Sequence, residues 1–283
     1  MTDQSPESVE ALTSAALFSI ETARERIAGM RIFVLTGAGL STDSGIPDYR
    51  GQGRVAKHPM TFDTFMGSDL AQKRYWARSY VGWSRISSAL PNPGHKALAK
   101  AEAQGRVKTV VTQNVDGLHQ EAGSKSVIDL HGRLDRVVCM SCKDSISRVQ
   151  MDTFLKELNP SITKDQSVEF TPDGDAEVEG TENFVVPNCV SCSGVYKPDV
   201  VFFGESVPSD RVELAMNLLE DSDVLLVAGT SLTVNSGYRF AKQASAKQKP
   251  IIVVNLGPTR GDHLANAKIE ANTSLALERL LVD

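Results

Sequence analysis

All four cysteines of this 283-residue chain lie in two CxxC pairs, Cys139/Cys142 and Cys189/Cys192. Each pair can present two thiolates to one metal ion, and two pairs complete a tetrahedral zinc site. Because four thiolates leave no open coordination position, we expect a structural zinc rather than one that activates water. The even spacing, with no cysteine left over, favours metal binding over disulfides or free reactive thiols.

A glycine-bearing turn, Gly37-Ala38-Gly39, follows an apolar run at residues 32–36. Glycine lets a backbone approach a phosphate group closely, and the start of a following helix would supply N–H donors. Thr42 stands where the dinucleotide fingerprint has its third glycine, so the turn alone also fits a connection without a ligand. The polar loop at residues 41–50 is of a kind that covers bound ligands.

Amide and carboxylate side chains follow a second apolar run, in the segment TQNVDGLH at residues 112–119. Gln and Asn carry both a donor and an acceptor, which suits recognition of a carboxamide, although Asn and Asp also favour plain turns. His131 follows a short apolar run at residues 127–130. Its side chain has the right pKa for a general base near neutral pH, or it is a structural hydrogen-bonding residue.

Two further apolar runs also end in small or polar residues, Gly229-Thr230-Ser231 and Asn255-Leu256-Gly257. The carboxyl ends of parallel strands meet at one edge of a sheet, where open α/β folds bind ligands. Together with the turn at Gly37, these turns therefore outline one cleft and favour a dinucleotide as its ligand.

The elements that would position these residues follow from four apolar runs at 32–36, 107–112, 224–228 and 251–255. Runs that are nearly continuous in apolar residues indicate strands buried on both faces, and the segments between them are long enough for crossover helices, as at 209–220 and 238–248. The sequence predicts an α/β fold with a parallel sheet. We expect a further helix at 70–86 and a solvated loop in the acidic segment 161–183.

Charge and hydropathy disfavour some classes of partner and location. The net charge of −5, from 30 Lys+Arg and 35 Asp+Glu, disfavours nucleic-acid binding through a basic face. The apolar runs are too short to span a bilayer, so we expect no membrane partner. Residues 1–10 hold three acids and no base, unlike a secretory signal or a transit peptide, and a cytoplasmic location is therefore expected.

These motifs, in this order, resemble the sirtuins, the NAD-dependent protein lysine deacylases. The resemblance runs from about Gly29 onward and rests on the segments 37–51, 112–119, 131–132, 197–205, 229–237 and 255–260, with the two CxxC pairs. Within the family, the chain most resembles class II, the branch of the mitochondrial lipoamidase-type sirtuin. This resemblance rests on the segments YWARSYVGW at 75–83, TPDGD at 171–175 and SGYRF at 236–240. Without a transit peptide, the chain resembles a bacterial member.

The resemblance implies one catalytic unit over residues 1–283, with a Rossmann-like large domain and an inserted small domain that binds zinc. The large domain would comprise approximately 15–50, 94–132 and 200–283. The small domain would comprise approximately 51–93, with helices and the cofactor loop, and 133–199, with the zinc module. NAD and the acyl-lysine of a protein or peptide would meet in the cleft between them.

The resemblance also implies roles for single residues. His131 would be the catalytic base, with Asn114 and Asp116 as further catalytic residues. The zinc ligands would be the four cysteines. NAD would be bound by Gly37, Ala38, Gly39, Ser41, Thr42, Asp48, Tyr49, Arg50, Gln113, Asn114, Val115, Asp116, His131, Gly229, Thr230, Ser231, Asn255, Leu256, Gly257 and Thr273.

Substrate recognition is implied at two places. Val201, Phe202, Phe203 and Gly204 would take the substrate peptide as an added strand, which reads its main chain. Tyr75 and Arg78, three residues apart on one predicted helix face, would hold an acidic acyl chain by charge-assisted hydrogen bonds. In the alternative, Tyr75 packs against other side chains and Arg78 pairs with an acidic residue. Acetyl, longer and branched acyl groups also stay open as substrates.

The reaction that the resemblance implies consumes NAD and transfers no hydride. The acyl oxygen attacks C1′ as nicotinamide leaves, and His131 deprotonates a ribose hydroxyl of the resulting alkylimidate. The products are free lysine, nicotinamide and O-acyl-ADP-ribose. Protein ADP-ribosyl transfer is the main alternative, because it would use the same NAD site. A dehydrogenase would need no four-cysteine module, and a zinc-ribbon interaction domain would leave the three glycine-bearing strand ends without a use.

Overall fold

The structure is a computed structural model that describes residues 12–48, 60–162 and 180–282. Tyr49 and Arg50 of the predicted NAD site lie outside these ranges, as do residues 163–179 of the acidic segment. Among the described residues, no helix is both long enough and apolar enough to cross a membrane.

The described strands, in chain order, are β1 (Ile32–Thr36), β2 (Val107–Thr112), β3 (Val127–Asp129), β4 (Gly132–Cys139), β5 (Ser145–Ser147), β6 (Tyr196–Val200), β7 (Val224–Ala228), β8 (Ile251–Val254) and β9 (Ala267–Ile269). The described α-helices are α1 (Ser14–Arg26), α2 (Phe62–Gly67), α3 (Asp69–Ser88), α4 (Pro93–Ala103), α5 (Leu118–Glu121), α6 (Arg148–Leu158), α7 (Ser209–Glu220), α8 (Asn235–Ala246) and α9 (Thr273–Leu281).

The larger sheet of the described chain has six parallel strands in the order β3-β2-β1-β7-β8-β9. The chain builds outward from β1 on one side and then returns to build outward on the other, which is the strand order of the Rossmann fold. The predicted α/β class with a parallel sheet is therefore confirmed. β8 ends one residue earlier than predicted, because the Asn255 side chain bonds the carbonyl oxygens of Leu256 and Gly257 and turns the chain.

Helices cover both faces of this sheet, as expected for strands that are almost wholly buried, such as β1, β2, β7 and β8. Side chains alternate along β1, so that Ile32 and Val34 pack into the core that includes α1, α4 and α9. Phe33 and Leu35 point to the other face, in the core that includes α7 and α8. α7 has its predicted bounds, but α8 begins at Asn235 rather than at residue 238, because Gly237 and Tyr238 already donate to the carbonyl of Val234.

The smaller sheet of the described residues is antiparallel, with the order β5-β4-β6. It shares a core with α2, α3 and α6, in which Phe65 and Trp76 pack with Val137, Met151 and Phe184. The segments 60–93, 133–162 and 180–199 thus contribute to a common core separate from the two cores of the large sheet. This arrangement agrees with the expected small domain, whose boundaries remain a prediction.

Candidate functional site

The turns that carry the predicted NAD residues meet at the carboxyl edge of the large sheet. β1 pairs with β2 on one side and with β7 on the other, so the strand order reverses direction at β1. The last residue of β1, Thr36, is in register with Thr112 of β2 and with Ala228 of β7. Open α/β sheets bind ligands at such a switch point, outside the carboxyl ends of the strands.

The turn after β1 is bound directly to the turn after β7. The N–H groups of Gly37 and Gly39 donate to the carbonyls of Ala228 (3.2 Å) and Gly229 (2.8 Å). A Cβ on Gly37 would lie 2.6 Å from the Cβ of Thr230, and a Cβ on Gly229 would overlap the backbone nitrogen of Leu40. These glycines are thus required by the contact between two turns, whatever they do toward a phosphate.

The expectation of a helix directly after this turn is wrong, because the chain forms two short 3₁₀ turns there, Ala38–Leu40 and Thr42–Ser44. Gly45 ends the second turn with a φ of 80°, in the left-handed region that stops a helix. Thr42 closes the first turn by donating its hydroxyl to the Gly39 carbonyl (3.1 Å). Asp48 is the last described residue of the loop.

Three predicted NAD residues form a buried network beside these turns. The Ser41 hydroxyl donates to Oδ2 of Asp116 (2.7 Å) and accepts from Nδ2 of Asn114 (3.0 Å), which also donates to the carbonyl of Gly37 (3.1 Å). Burial raises the pKa of Asp116 above its ordinary value. The network joins the ends of β1 and β2 and holds the Asn114 amide and the Asp116 carboxyl in fixed positions.

Gln113 bridges the ends of three strands. Its Nε2 donates to the carbonyl of Thr36 (3.1 Å) and to Oγ1 of Thr230 (3.0 Å). The carboxamide donor is thus held by protein groups. Val115, two residues on, accepts from the N–H of Leu134 through its backbone carbonyl (2.9 Å), which joins this segment to β4.

His131 follows β3 and is hydrogen-bonded at both ring nitrogens. Its Nδ1 lies 3.0 Å from the carbonyl oxygen of Gln113, and its Nε2 lies 2.8 Å from Oγ of Ser236. A carbonyl oxygen only accepts, so Nδ1 carries the proton. Burial lowers the pKa of His131 to about 4, which leaves the ring neutral at pH 7 and Nε2 free of a proton. The role of base at this position stays a prediction, and the neutral ring has its unprotonated nitrogen at Nε2.

Ser236 is a site residue to which no sequence pattern assigns a role. It lies in the first turn of α8 and begins the segment SGYRF at 236–240. Its neighbour Gly237 leaves room for Gln113, because a Cβ there would be 2.5 Å from the Gln113 Oε1. The signal available in the sequence is the place of Ser236 in the segment 229–237, on which the resemblance rests.

The remaining predicted NAD residues lie on the β7, β8 and α9 side of the edge. The Ser231 hydroxyl is within 3.0 Å of the Thr233 hydroxyl, and the Leu256 side chain is 61% exposed. Gly257 has a φ of 77°, which glycine adopts without strain. Thr273 is the buried first residue of α9.

The predicted substrate segment, Val201 to Gly204, follows β6 and passes beside His131. The N–H of Val201 donates to the His131 carbonyl (2.8 Å), and that of Phe202 donates to Oε2 of Glu205 (2.9 Å). The same carboxylate pairs with the buried Lys197 at 3.0 Å. Phe203 accepts from the N–H of Phe62 (2.9 Å) at the start of α2. Several backbone groups of this segment are therefore already paired within the protein.

The two residues predicted to hold an acyl chain lie on α3. Tyr75 is buried, with its ring 5.4 Å from that of Phe65 and 5.1 Å from that of Phe202 in the substrate segment. Arg78 is half-buried one turn away on the same helix. Tyr75 packs, as the alternative expects, and it packs against the segment that is expected to contact the substrate.

The four cysteines come together as predicted. Their Sγ atoms all lie within 4.8 Å of one another, with 3.5 Å between Cys139 and Cys192 and 3.7 Å between Cys142 and Cys189. Zinc–sulfur bonds of about 2.3 Å in a tetrahedron place the sulfurs about 3.8 Å apart, so the thiols fit a closed zinc site. Strand β4 separates Cys139 from His131 by eight residues, on the order of 25 Å at about 3.3 Å per residue.

The donor set at the sheet edge fits a dinucleotide. Amides, hydroxyls and a carboxyl from four turns surround the switch point, namely Ser41, Thr42, Gln113, Asn114, Asp116, Ser231 and Asn255. The exposed apolar side chain of Leu256 could pack against a base. Neutral imidazole and amide groups would meet a carboxamide without an unpaired buried charge.

Comparison with known proteins gives relatives along nearly the whole chain. A protein of Mycobacterium avium (strain 104) named NAD-dependent protein deacetylase 1 is 51% identical over 258 residues, which cover 90% of this chain and 92% of that protein. An NAD-dependent protein deacetylase of Xanthomonas campestris pv. campestris (strain 8004) is 50% identical over 251 residues, covering 87% and 85%.

Solved structures agree with these relatives. The structure described as "Sir2-p53 peptide-NAD+" is 28% identical, with a TM-score of 0.74 over 92% of this chain and 96% of that one. The structure "Structure of Sir2Tm bound to a propionylated peptide" is 28% identical, with a TM-score of 0.73 and the same coverage. The model of the Sir2 family matches residues 37–236. This chain therefore belongs to the Sir2 family, the sirtuins.

Proposed function

We propose that this sirtuin removes acetyl groups from lysine side chains of proteins, with NAD as its co-substrate, and releases nicotinamide and O-acetyl-ADP-ribose. Relatives that are about half identical over most of both chains are named NAD-dependent protein deacetylases, which supports the reaction. A solved structure that holds NAD and a p53 peptide has the same fold, which supports both ligands.

The observation that carries the proposal is the state of His131 at the switch point of the sheet. Its Nδ1–H is held by the Gln113 carbonyl, which leaves the lone pair of the neutral ring on Nε2, where it can accept a proton. A base with a positioned lone pair is what proton abstraction from a substrate hydroxyl needs. We assign this role to His131.

The other polar residues of the edge orient ligands. Asn114 and Asp116, fixed through Ser41, would present an amide and a carboxyl toward the nicotinamide end of the site. The β7 and β8 turns, with Ser231 and Asn255, would hold the adenosine end. When bound, NAD supplies the ribose carbon to which the acyl oxygen adds as nicotinamide leaves. Zinc would hold β4 and β6 together and take no part in the chemistry, in keeping with its full set of ligands.

The protein substrate would lie along Val201–Gly204. Glu205 fixes this segment by accepting from the Phe202 N–H and pairing with Lys197, so the segment has a defined position beside His131. A peptide added to this segment as a strand would be read by its main chain more than by its side chains. Acyl-lysine proteins or peptides are thus the partners that we propose.

The acyl pocket is proposed to include Tyr75 and Arg78. Packing of Tyr75 on Phe202 supports a position next to the substrate segment. An arginine one turn away would add affinity for acyl chains that end in a carboxylate, such as succinyl or glutaryl. Membership of class II, the two-domain boundaries given above and a cytoplasmic location are further parts of the proposal.

A peptide panel tests the function. One lysine peptide would carry acetyl, succinyl, glutaryl, lipoyl or long-chain acyl groups, each incubated with and without NAD, and peptide mass would be followed. We expect loss of acetyl only with NAD. If the wild type removes succinyl as well, and Arg78→Ala loses the removal of succinyl but keeps the removal of acetyl, Arg78 belongs to the acyl pocket. NAD-independent loss, or no loss from any peptide, would refute the proposal.

A further inference from the structure

Three groups from distant parts of the chain form a line of hydrogen bonds through the catalytic imidazole. The Gln113 carbonyl lies 3.0 Å from Nδ1 of His131, and the Ser236 hydroxyl lies 2.8 Å from its Nε2. Nδ1 must be the donor to the carbonyl, so the neutral ring has an unprotonated Nε2 and Ser236 donates its hydroxyl proton to that lone pair.

The placement of Ser236 is tightly determined. The residue is buried and lies in the first turn of α8, whose next residue, Gly237, packs against the Gln113 side chain. Gln113 is in turn held by Thr36 and Thr230. The start of α8 therefore contacts both His131 and the residue that holds the other end of the imidazole. Burial lowers the pKa of His131, and the positive charges of Arg211 and Arg239 act on the ring and lower its pKa further.

We propose that Ser236 is a positioning residue for His131, which fixes the direction of the Nε2 lone pair from the opposite end of the ring to Gln113. A ring held at one nitrogen alone can rotate about its Cβ–Cγ bond, whereas a ring held at both nitrogens points Nε2 in one direction. Ser236 gives up Nε2 to a substrate hydroxyl during turnover and restores the ring orientation afterwards. The consequence for catalysis rests on the proposed function, but the orientation of the ring does not.

The ligand-free protein provides the first test, by NMR of the His131 Nδ1–H proton. In the wild type this proton should be visible and exchange slowly with water. In Ser236→Ala it should exchange at least about tenfold faster, because one hydrogen bond of ordinary strength is lost. Ser236→Thr keeps a hydroxyl and should restore slow exchange. Ser245→Ala, which removes an exposed hydroxyl from the same helix, should leave exchange unchanged.

Kinetics provide the second test. Ser236→Ala should lower kcat/KM for the peptide about tenfold, because fewer molecules of the free enzyme hold the His131 ring in the orientation that accepts the substrate hydroxyl. Equal Nδ1–H exchange in Ser236→Ala and the wild type would overturn the proposal, and so would an unchanged kcat/KM. If the wild type deacylates no peptide, the proposed function fails, and the exchange rates alone then decide the role of Ser236.

Discussion

Burial keeps three histidine side chains at the centre of this protein uncharged. Burial lowers the pKa of His95 and of His131 to about 4 each and lowers that of His119 well below its ordinary value. The rings of His95 and His119 lie 4.9 Å apart, and His119 also bonds the Thr36 hydroxyl at 2.9 Å. The end of β1 is thus surrounded by neutral imidazoles, one of which is the proposed base.

Replacing His131 by alanine should abolish deacylation, because the Nε2 that accepts the proton is removed. The fold should persist, since the lost contacts are two hydrogen bonds at the sheet edge. NAD-dependent loss of acetyl should fall by at least about 10²-fold, the ordinary size of a general-base contribution. NAD binding, measured by calorimetry, should remain. Turnover at the wild-type rate would contradict the assignment of the base.

The buried histidines also predict how stability depends on pH. A pKa of about 4 in the folded protein, against about 6.5 in the unfolded chain, means that the unfolded chain binds more protons as pH falls. The free energy of unfolding should therefore fall from pH 6.5 downward, by about 2 kcal/mol for His95 alone at pH 5.

Urea unfolding with zinc in excess at pH 7 and pH 5 measures this loss. His95→Gln, which cannot titrate, should show a smaller loss over the same interval, whatever its stability at pH 7. Equal stability of the wild-type protein at both values would contradict burial of neutral imidazoles.

Which single residues the sequence can predict depends on how far apart the partners lie in the chain. The zinc ligands and His131 stand in local patterns, and the cysteine cluster is confirmed. Ser236 meets His131 across 105 residues, and Gln113 meets Thr230 across 117 residues. Contacts of that kind depend on the fold and leave no local pattern.

At the scale of elements, the site depends on two turns that touch each other. The turn after β1 and the turn after β7 approach so closely that only glycine fits at residues 37 and 229. This explains why glycines recur at strand ends even though the third fingerprint glycine is absent. Backbone contact between turns, in addition to contact with a ligand, is the physical requirement.

Gly229→Ala should destabilise the protein much more than a matched change elsewhere. Both Gly229 (φ 64°) and Gly105 (φ 75°) are left-handed, but a Cβ on Gly105 would have nothing within 4 Å. We expect a loss of about 1 kcal/mol for Gly105→Ala from backbone strain and of about 3 kcal/mol or more for Gly229→Ala from strain and overlap. Urea unfolding checks both variants, and equal losses would contradict the close contact.

The zinc module, which contains the four cysteines, can be tested independently of the two glycine-bearing turns. Cys139→Ser should release zinc and lower the melting temperature, because metal binding at a four-cysteine site is coupled to folding. Ser141→Ala lies between the ligands of the first pair and should keep one zinc per chain. Metal content by mass spectrometry and thermal unfolding give the two readings. A Cys139→Ser protein that still holds one zinc at unchanged stability would contradict the site.

Strands that are almost entirely apolar are predictable here, and irregular elements are not. The strands β1, β2, β7 and β8 are nearly continuous in apolar residues because both faces of the sheet are covered, so their positions follow from the sequence, with β8 one residue shorter than expected. The three-residue strands β3 and β9 are too short for their residues alone to indicate a strand. The 3₁₀ turns after β1 depend on the φ of Gly45 and on contact with β7, which no local pattern reports.

At the scale of the whole molecule, function depends on the order of the strands. Returning from β6 to place β7 beside β1 brings together turns from residues 37–48, 112–119 and 229–237, which are far apart in the chain. The small unit, with its own core around Trp76 and Phe184, supplies α3 on one side of the substrate segment. The resemblance to sirtuins made this arrangement predictable as a whole, while composition and periodicity alone predicted only the class of fold.

The most direct test of the account is to identify where the acetyl group goes. The full-length protein would be incubated with NAD and an acetyl-lysine peptide, and all products would be quantified by mass spectrometry. The account predicts nicotinamide, deacetylated peptide and O-acetyl-ADP-ribose in a ratio of one to one to one. Nicotinamide released while the peptide keeps its acetyl group, with ADP-ribose found free or attached to protein, would contradict it and would indicate NAD hydrolysis or ADP-ribosyl transfer instead.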